Sequence, residues 1–196
     1  MEITEIISRF QSTGKMPVRE SKKYSFGDYD YCKSIFKSAI KAYDKSIIEL
    51  EWLPEYDEVV KWMVDNQGKG LALVGSNGRG KTSIMFGVLP IAFYSIGMVL
   101  KPRLAISLSP DIIDYLIKSW AVVLDDIGQE QVLNNYGTKI DAVEKLISVC
   151  EAELRPLFIT TNLNYVQLQK RYGVRITDRI NRLCKIIVFS GESFRK

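Results

Sequence analysis

The sequence predicts an α/β domain in which a parallel five-stranded sheet lies between helices. Two observations carry this. From about residue 70 onward, apolar β-prone runs alternate with stretches of helical period, an order that makes the strands parallel and joins them by helical crossovers. The first of those runs, Leu71-Ala-Leu-Val-Gly75, then breaks into Ser76-Asn-Gly-Arg-Gly80-Lys81-Thr82 before a helical pattern resumes, which is the strand, loop and helix order of G-x-x-x-x-G-K-[ST]. At 196 residues the chain is long enough for one sizeable core and an appendage, and too short for two full domains.

The elements follow in order. Residues 1 to about 31 combine a short apolar start with a polar, aromatic-dotted stretch, Lys22 to Tyr31, that has no clean period and is expected to be a flexible arm or a partner-docking segment. From Lys33 to Trp52, Ile35, Phe36, Ala39, Ile40, Tyr43, Ile47, Ile48 and Leu50 recur at three-to-four spacing and predict an amphipathic helix. Pro54 suits the first turn of a second helix, Glu55 to Asn66, closed by Gly68 and Gly70. Residues 1–53 are thus expected to form a short helical N-terminal extension and 54–196 the main domain. After Thr82 the helical pattern runs to about Ile96, with Pro90 as a kink or early stop. Val99 to Leu108 predicts a second strand, and Ser109-Pro110-Asp111 opens a short helix to Lys118. Ala121 to Asp126 is a buried strand ending in two carboxylates. Asp141 to Glu153 is helical by period, Leu157 to Thr161 is a fourth strand, Tyr165 to Arg182 is mostly helix, and Lys185 to Phe189 is a fifth strand.

Composition narrows the function classes. The chain is 46% hydrophobic and 26% charged, with a net charge of +4 too small to prove a nucleic-acid partner. The charge is uneven, since residues 170–196 carry eight basic and two acidic side chains. There is no histidine, and Cys32, Cys150 and Cys184 lie far apart, which excludes the usual Cys/His zinc sites and every histidine-dependent triad. Sparse cysteines fit a reducing cytosol. The first residues lack the basic and apolar segments of a signal peptide, and no apolar run is long enough to span a bilayer, so a soluble cytoplasmic protein is expected.

The chemistry gathers on the Gly-rich loop. Glycines let the backbone curl so that successive N–H groups point at phosphate oxygens, and the following helix presents its positive end to the same anion. Gly75, Ser76, Asn77, Gly78, Arg79 and Gly80, with Lys81, Thr82 and Ser83, are the predicted phosphate-binding set; Lys81 reaches the β/γ-phosphates and Thr82 ligates Mg²⁺. Four apolar residues place Asp125 and Asp126 at the carboxyl end of a buried strand, where α/β ligand sites lie; Asp125 would join the Mg²⁺ shell and Asp126 orient or deprotonate the attacking water. A second carboxylate suits an ATPase, and no Asn-Lys-x-Asp for guanine occurs. Asn162, at the end of the fourth strand, is expected beside the γ-phosphate, or else serves as a turn former like Asn164. Arg171, Arg175, Arg179 and Arg182 fall on one face of a continuous helix unless Gly173 breaks it, and read either as a solvated basic face or as the source of an arginine finger.

Taken together, the P-loop, Val123-Leu-Asp-Asp-Ile-Gly128, Ile159-Thr-Thr-Asn-Leu-Asn-Tyr165, Tyr172-Gly-Val-Arg-Ile-Thr-Asp-Arg-Ile180 and Gly191-Glu-Ser-Phe-Arg-Lys196 resemble the DnaC-type replicative helicase loaders and the related IstB-type transposition ATPases of the AAA+ class. The resemblance covers roughly residues 55–196. It implies an AAA+ fold without a C-terminal helical lid, ATP and Mg²⁺ as cofactors, ATP-dependent assembly with further copies, and delivery of a replicative helicase onto single-stranded DNA. A transposition helper or a non-hydrolysing ATP-bound adaptor are the alternatives. By motif position, Asn162 resembles sensor 1, Arg179 the arginine finger with Arg175 in reserve, and Arg195 a sensor-2-like arginine. Two departures are visible. Only Ser109 to Trp120 separate the second strand from the Asp125-Asp126 strand, where the loaders carry a longer insertion linked to DNA contact. The N-terminal part has no cysteine-ligand spacing, so docking of a helicase would fall to residues 1 to about 53.

Overall fold

A computed structural model describes residues 2–13, 21–130, 133–135 and 138–191. Its centre is a parallel sheet of five strands: β1 (Gly70–Gly75), β2 (Arg103–Leu104), β3 (Val122–Asp125), β6 (Leu157–Thr161) and β7 (Cys184–Phe189), in the order β2-β3-β6-β1-β7. A separate antiparallel pair, β4 (Leu133–Asn135) with β5 (Thr138–Ile140), lies between β3 and the next helix and has no counterpart in the sequence reading. The order places β6 between β1 and β3, pairing Leu71 with Phe158 on one side and Val123 with Phe158 on the other. The Gly-rich loop and the two carboxylates therefore open at the same end of the sheet, with the end of β6 between them.

Strand alternation sorts the core into two layers. Leu71, Leu73, Val123, Phe158, Ile187 and Phe189 face a cluster built from α2 (Tyr29–Tyr43), α3 (Pro54–Val64) and the helix after the Gly-rich loop. Ala72, Val122, Leu124, Leu157 and Ile159 face α6 (Pro110–Lys118), α7 (Ala142–Glu153) and α8 (Tyr165–Leu183). A parallel sheet covered on both faces is the predicted fold class, and it is what forms.

Helix starts follow local chemistry. Asp28 accepts from the Tyr31 N–H at 2.8 Å, Pro54 and Pro110 occupy first turns, Asp141 accepts from Val143 and Glu144, and Asn164 with Gln167 forms a capping box.

Several boundaries differ from expectation, each for a physical reason. The helix predicted from Lys33 to Trp52 starts at Tyr29 and ends at Tyr43, because the Asp44 carboxylate accepts from the Ser46 N–H and hydroxyl at 3.0 and 2.6 Å and so stabilises a turn instead. Ile47 and Leu50 keep helical spacing only by coincidence and pack from a loop. The second strand shrinks from Val99–Leu108 to two residues; Pro102 cannot donate to a ladder, and Ala105–Ser107 turns into a 3₁₀ helix. Pro90, expected as a kink or an early stop, does not stop its helix. After α4 (Lys81–Ser83) the backbone widens into a π turn at Ile84–Val88, where the Leu89 N–H reaches the Ile84 carbonyl, and α5 (Leu89–Ser95) continues.

The polar, aromatic stretch before α2 is a packed strap from Ser21 onward, held by Asn66 to both backbone groups of Tyr24, by the Phe26 N–H to the Met63 carbonyl at 3.2 Å, and by aromatic contacts of Tyr24 and Phe26 with Phe93 at 5.2 and 4.9 Å. It is aperiodic because neither face repeats; single side chains fasten it. Ahead of it, α1 (Ile3–Ser12) buries none of its residues.

Candidate functional site

The Gly-rich loop forms as the spacing predicts. Gly75 adopts φ 123°, and a Cβ there would lie 2.1 Å from the Phe189 carbonyl oxygen, so strand β7 leaves room for glycine alone. Asn77, Gly78, Gly80, Lys81, Thr82 and Ser83 line a cleft of about 540 Å³ together with Asp126, Thr160 and Asn162. Its far wall is the loop between α2 and α3, through Asp44, Ser46, Ile47, Leu50 and Glu51, with Tyr56. That wall was not foreseen from the sequence, because these residues continue the period of α2 and read as more of the same helix.

Strand order brings the motif residues together. Lys81 Nζ donates to the Gly75 and Ser76 carbonyls at 2.8 and 2.7 Å and to Asn162 Oδ1 at 2.9 Å. Asn162 Nδ2 in turn donates to Asp126 Oδ1 at 2.7 Å. One amide thus joins the loop lysine to the second carboxylate, and it does so because β6 is inserted between the strands that carry them. Thr82 Oγ1 donates to Asp125 Oδ2 at 3.0 Å. Thr160 completes the group, donating to Asp125 Oδ1 at 2.6 Å and accepting from the Asp126 N–H at 2.8 Å. Thr160 was missed by the sequence reading; its only signal is a hydroxyl two residues before Asn162, in a strand whose last two residues are both threonine.

The two carboxylates differ in setting. Asp125 is 2% exposed and spends both oxygens on hydroxyls. Asp126 sits in the left-handed region at φ 61° and borders the cleft. Burial, then the neighbouring Asp125 charge, raises its carboxyl above the ordinary range, against the pull of Lys81.

Other predicted residues lie elsewhere. The Arg79 side chain turns away from the cleft into an ion pair with Glu55 at 3.1 Å, both side chains about one-tenth exposed, while Glu55 also accepts from the Ser190 N–H. Arg179 is held by Glu151 and Ser148 of α7, and Arg182 pairs with the same Glu151. Arg171 pairs with Glu130 and Asp141. Arg175 is exposed. The four arginines do not form one face, because Gly173 (φ 80°, ψ 163°) breaks α8 between Arg171 and Arg175. Arg195 falls outside the described residues.

The fold has solved counterparts. The DnaC helicase loader crystal structure is 18% identical over 81% of this chain and 99% of its own, with a TM-score of 0.59. The fold here is the DnaC fold. DnaI follows at 21% identity, over 77% of this chain and 93% of its own, with a TM-score of 0.51. The sequence matches no protein-family model and no curated protein. At such identity the likeness to DnaC is one of fold alone. No helix among the described residues is long and apolar enough to cross a membrane.

Proposed function

We propose that this chain is a Mg²⁺-dependent ATPase that loads a replicative helicase onto single-stranded DNA, working as an assembly of several copies. The observation that carries the reading is the Lys81, Asn162, Asp126 chain of hydrogen bonds at the mouth of a Gly-rich loop, on a DnaC-type fold. Lys81 exchanges its two carbonyl partners for phosphate oxygens when ATP enters, since an ammonium gains more from an anion than from neutral carbonyls. Asn162 keeps one Nδ2 N–H on Asp126 and offers the other to the γ-phosphate.

The residues fit a magnesium ion. Thr82 and Asp125 offer only oxygen donors, 3.0 Å apart and beside the loop, which is the hard, sparse protein set that Mg²⁺ accepts when phosphates and waters supply the rest. Mg²⁺ bound there neutralises charge on the phosphates. Asp126, at the cleft with its carboxyl raised by burial, orients the attacking water and takes its proton. Because Arg179 is engaged by α7 of its own subunit, the exposed Arg175 supplies the guanidinium that reaches a neighbouring copy.

Two variants test this. Asp126→Asn keeps ATP binding and loses turnover by about 10²–10⁴-fold, whereas Lys81→Ala loses binding itself. Capture from host lysate with ATP on Asp126→Asn, read by mass spectrometry against Lys81→Ala, is expected to recover a replicative helicase. A transposase in its place, or no nucleotide-dependent partner, overturns the loader reading; turnover by Lys81→Ala overturns the site.

A further inference from the structure

Beyond the cleft, one buried carboxylate has no part in the chemistry above. Glu130 has a side chain 3% exposed, and it is not in the cleft wall. Oε2 accepts from the Gly128 N–H at 2.7 Å. Oε1 accepts from the Tyr172 hydroxyl at 2.6 Å and from Arg171 Nη2 at 2.9 Å. Arg171 also reaches Asp141, the cap of α7. A buried carboxylate is costly unless all its lone pairs are used, and this one spends them on two separate parts of the molecule.

The first part is the turn that carries Asp126. Its left-handed backbone costs about 1–3 kcal/mol wherever a non-glycine residue adopts it, so neighbours must hold it in place. At the near end Thr160 accepts from Asp126, the Ile127 N–H donates to the Thr160 carbonyl, and Thr161 donates to the Ile127 carbonyl. At the far end the only side chain that grips the turn among the described contacts is Glu130, through Gly128. The second part is the last turn of α8 before its break: Arg171 and Tyr172 immediately precede Gly173, and Arg175 follows it.

We propose that Glu130 is a positioning residue that fixes the Asp126 turn and the Arg171-Tyr172 turn to each other, so that the carboxylate in the cleft and the segment presenting Arg175 move as one unit. The proposal deepens the ATPase reading and rests on it for its kinetic consequence. Its structural content stands without it. Glu130→Ala frees both segments at once. Glu130→Gln keeps an oxygen for Gly128 and restores the turn in part, while losing the charge that Arg171 needs.

Hydrogen exchange on the full chain, without nucleotide, reads the structural content directly. In Glu130→Ala, exchange is expected to quicken about 10-fold in both 126–130 and 171–175, as for loss of one anchoring hydrogen bond, with residues 70–75 unchanged; Glu130→Gln lies between it and the parent. Quickening confined to 126–130, or spread evenly over the chain, overturns the proposal. Kinetics then separate it from the parent reading. If the parent protein turns over ATP, Glu130→Ala is expected to lose about 10²-fold in kcat, with ATP affinity within twofold and partial rescue by Glu130→Gln; equal loss in affinity overturns the positioning role. A parent that never hydrolyses ATP but shows the paired exchange response refutes the ATPase reading alone.

Discussion

Asp57 shows how one side chain fastens two helices. Its carboxylate accepts from the Tyr29 hydroxyl at the start of α2 and from Trp52 Nε1 at 2.9 Å, and these bonds hold it below the ordinary carboxylate range. With its folded value lowered, the unfolded chain takes up the proton first, so the contribution is present at neutral pH and is lost as pH falls through the folded value. Asp57→Asn is expected to lower the melting temperature by a few degrees at pH 7, a gap that closes as the pH drops below about 4; melting curves at several pH values check this. At this scale the sequence was most legible where chemistry is contiguous. Gly75 to Thr82 needs only its own residues to form a loop, and so it could be found by spacing. Thr160 and Glu130 were not found, because the contacts that tie them to Asp126, Arg171 and Tyr172 span 34 or more positions and depend on strand pairing and helix packing.

Among elements, α8 is the one whose reading changed most. One basic face from Arg171 to Arg182 was expected unless Gly173 broke the helix, and Gly173 does break it, sending Arg171 to Glu130, Arg179 to Glu151 and Arg175 to solvent. Gly173→Ala has open space for its methyl group but strained backbone, so the cost is conformational. It is expected to lower stability by about 1–3 kcal/mol, seen as an earlier urea midpoint, with ATP affinity unchanged. Helix periods identified α7 and α8 and the caps set their starts; what period could not show was Asp44 cutting α2 short or a π turn absorbing Pro90, since both are contests between local bonds.

For the molecule as a whole, the proposed role of Arg175 across subunits would make turnover a property of the assembly. Arg175→Ala retains its own loop and Lys81→Ala retains its arginine, so each is expected to lose about 10³-fold or more in turnover alone. Mixing the two recovers a measurable share, because one copy binds ATP and the other supplies Arg175. No recovery on mixing, at concentrations where copies associate, would remove Arg175 from that role. The fold class was legible because alternation of strand and helix leaves few topologies, whereas the position of β6 is a long-range choice that no local pattern records.

That position of β6 also sets a timetable. Residues 70–75 and 122–125 have no strand between them until residues 157–161 arrive, and β1 gains its outer neighbour only with residues 184–189. During synthesis the Gly-rich loop is therefore complete long before anything can hold it against the two carboxylates. A nascent chain stopped at residue 150 would carry every residue of the loop and both aspartates, yet would have no Asn162 to join them and no sheet to align them.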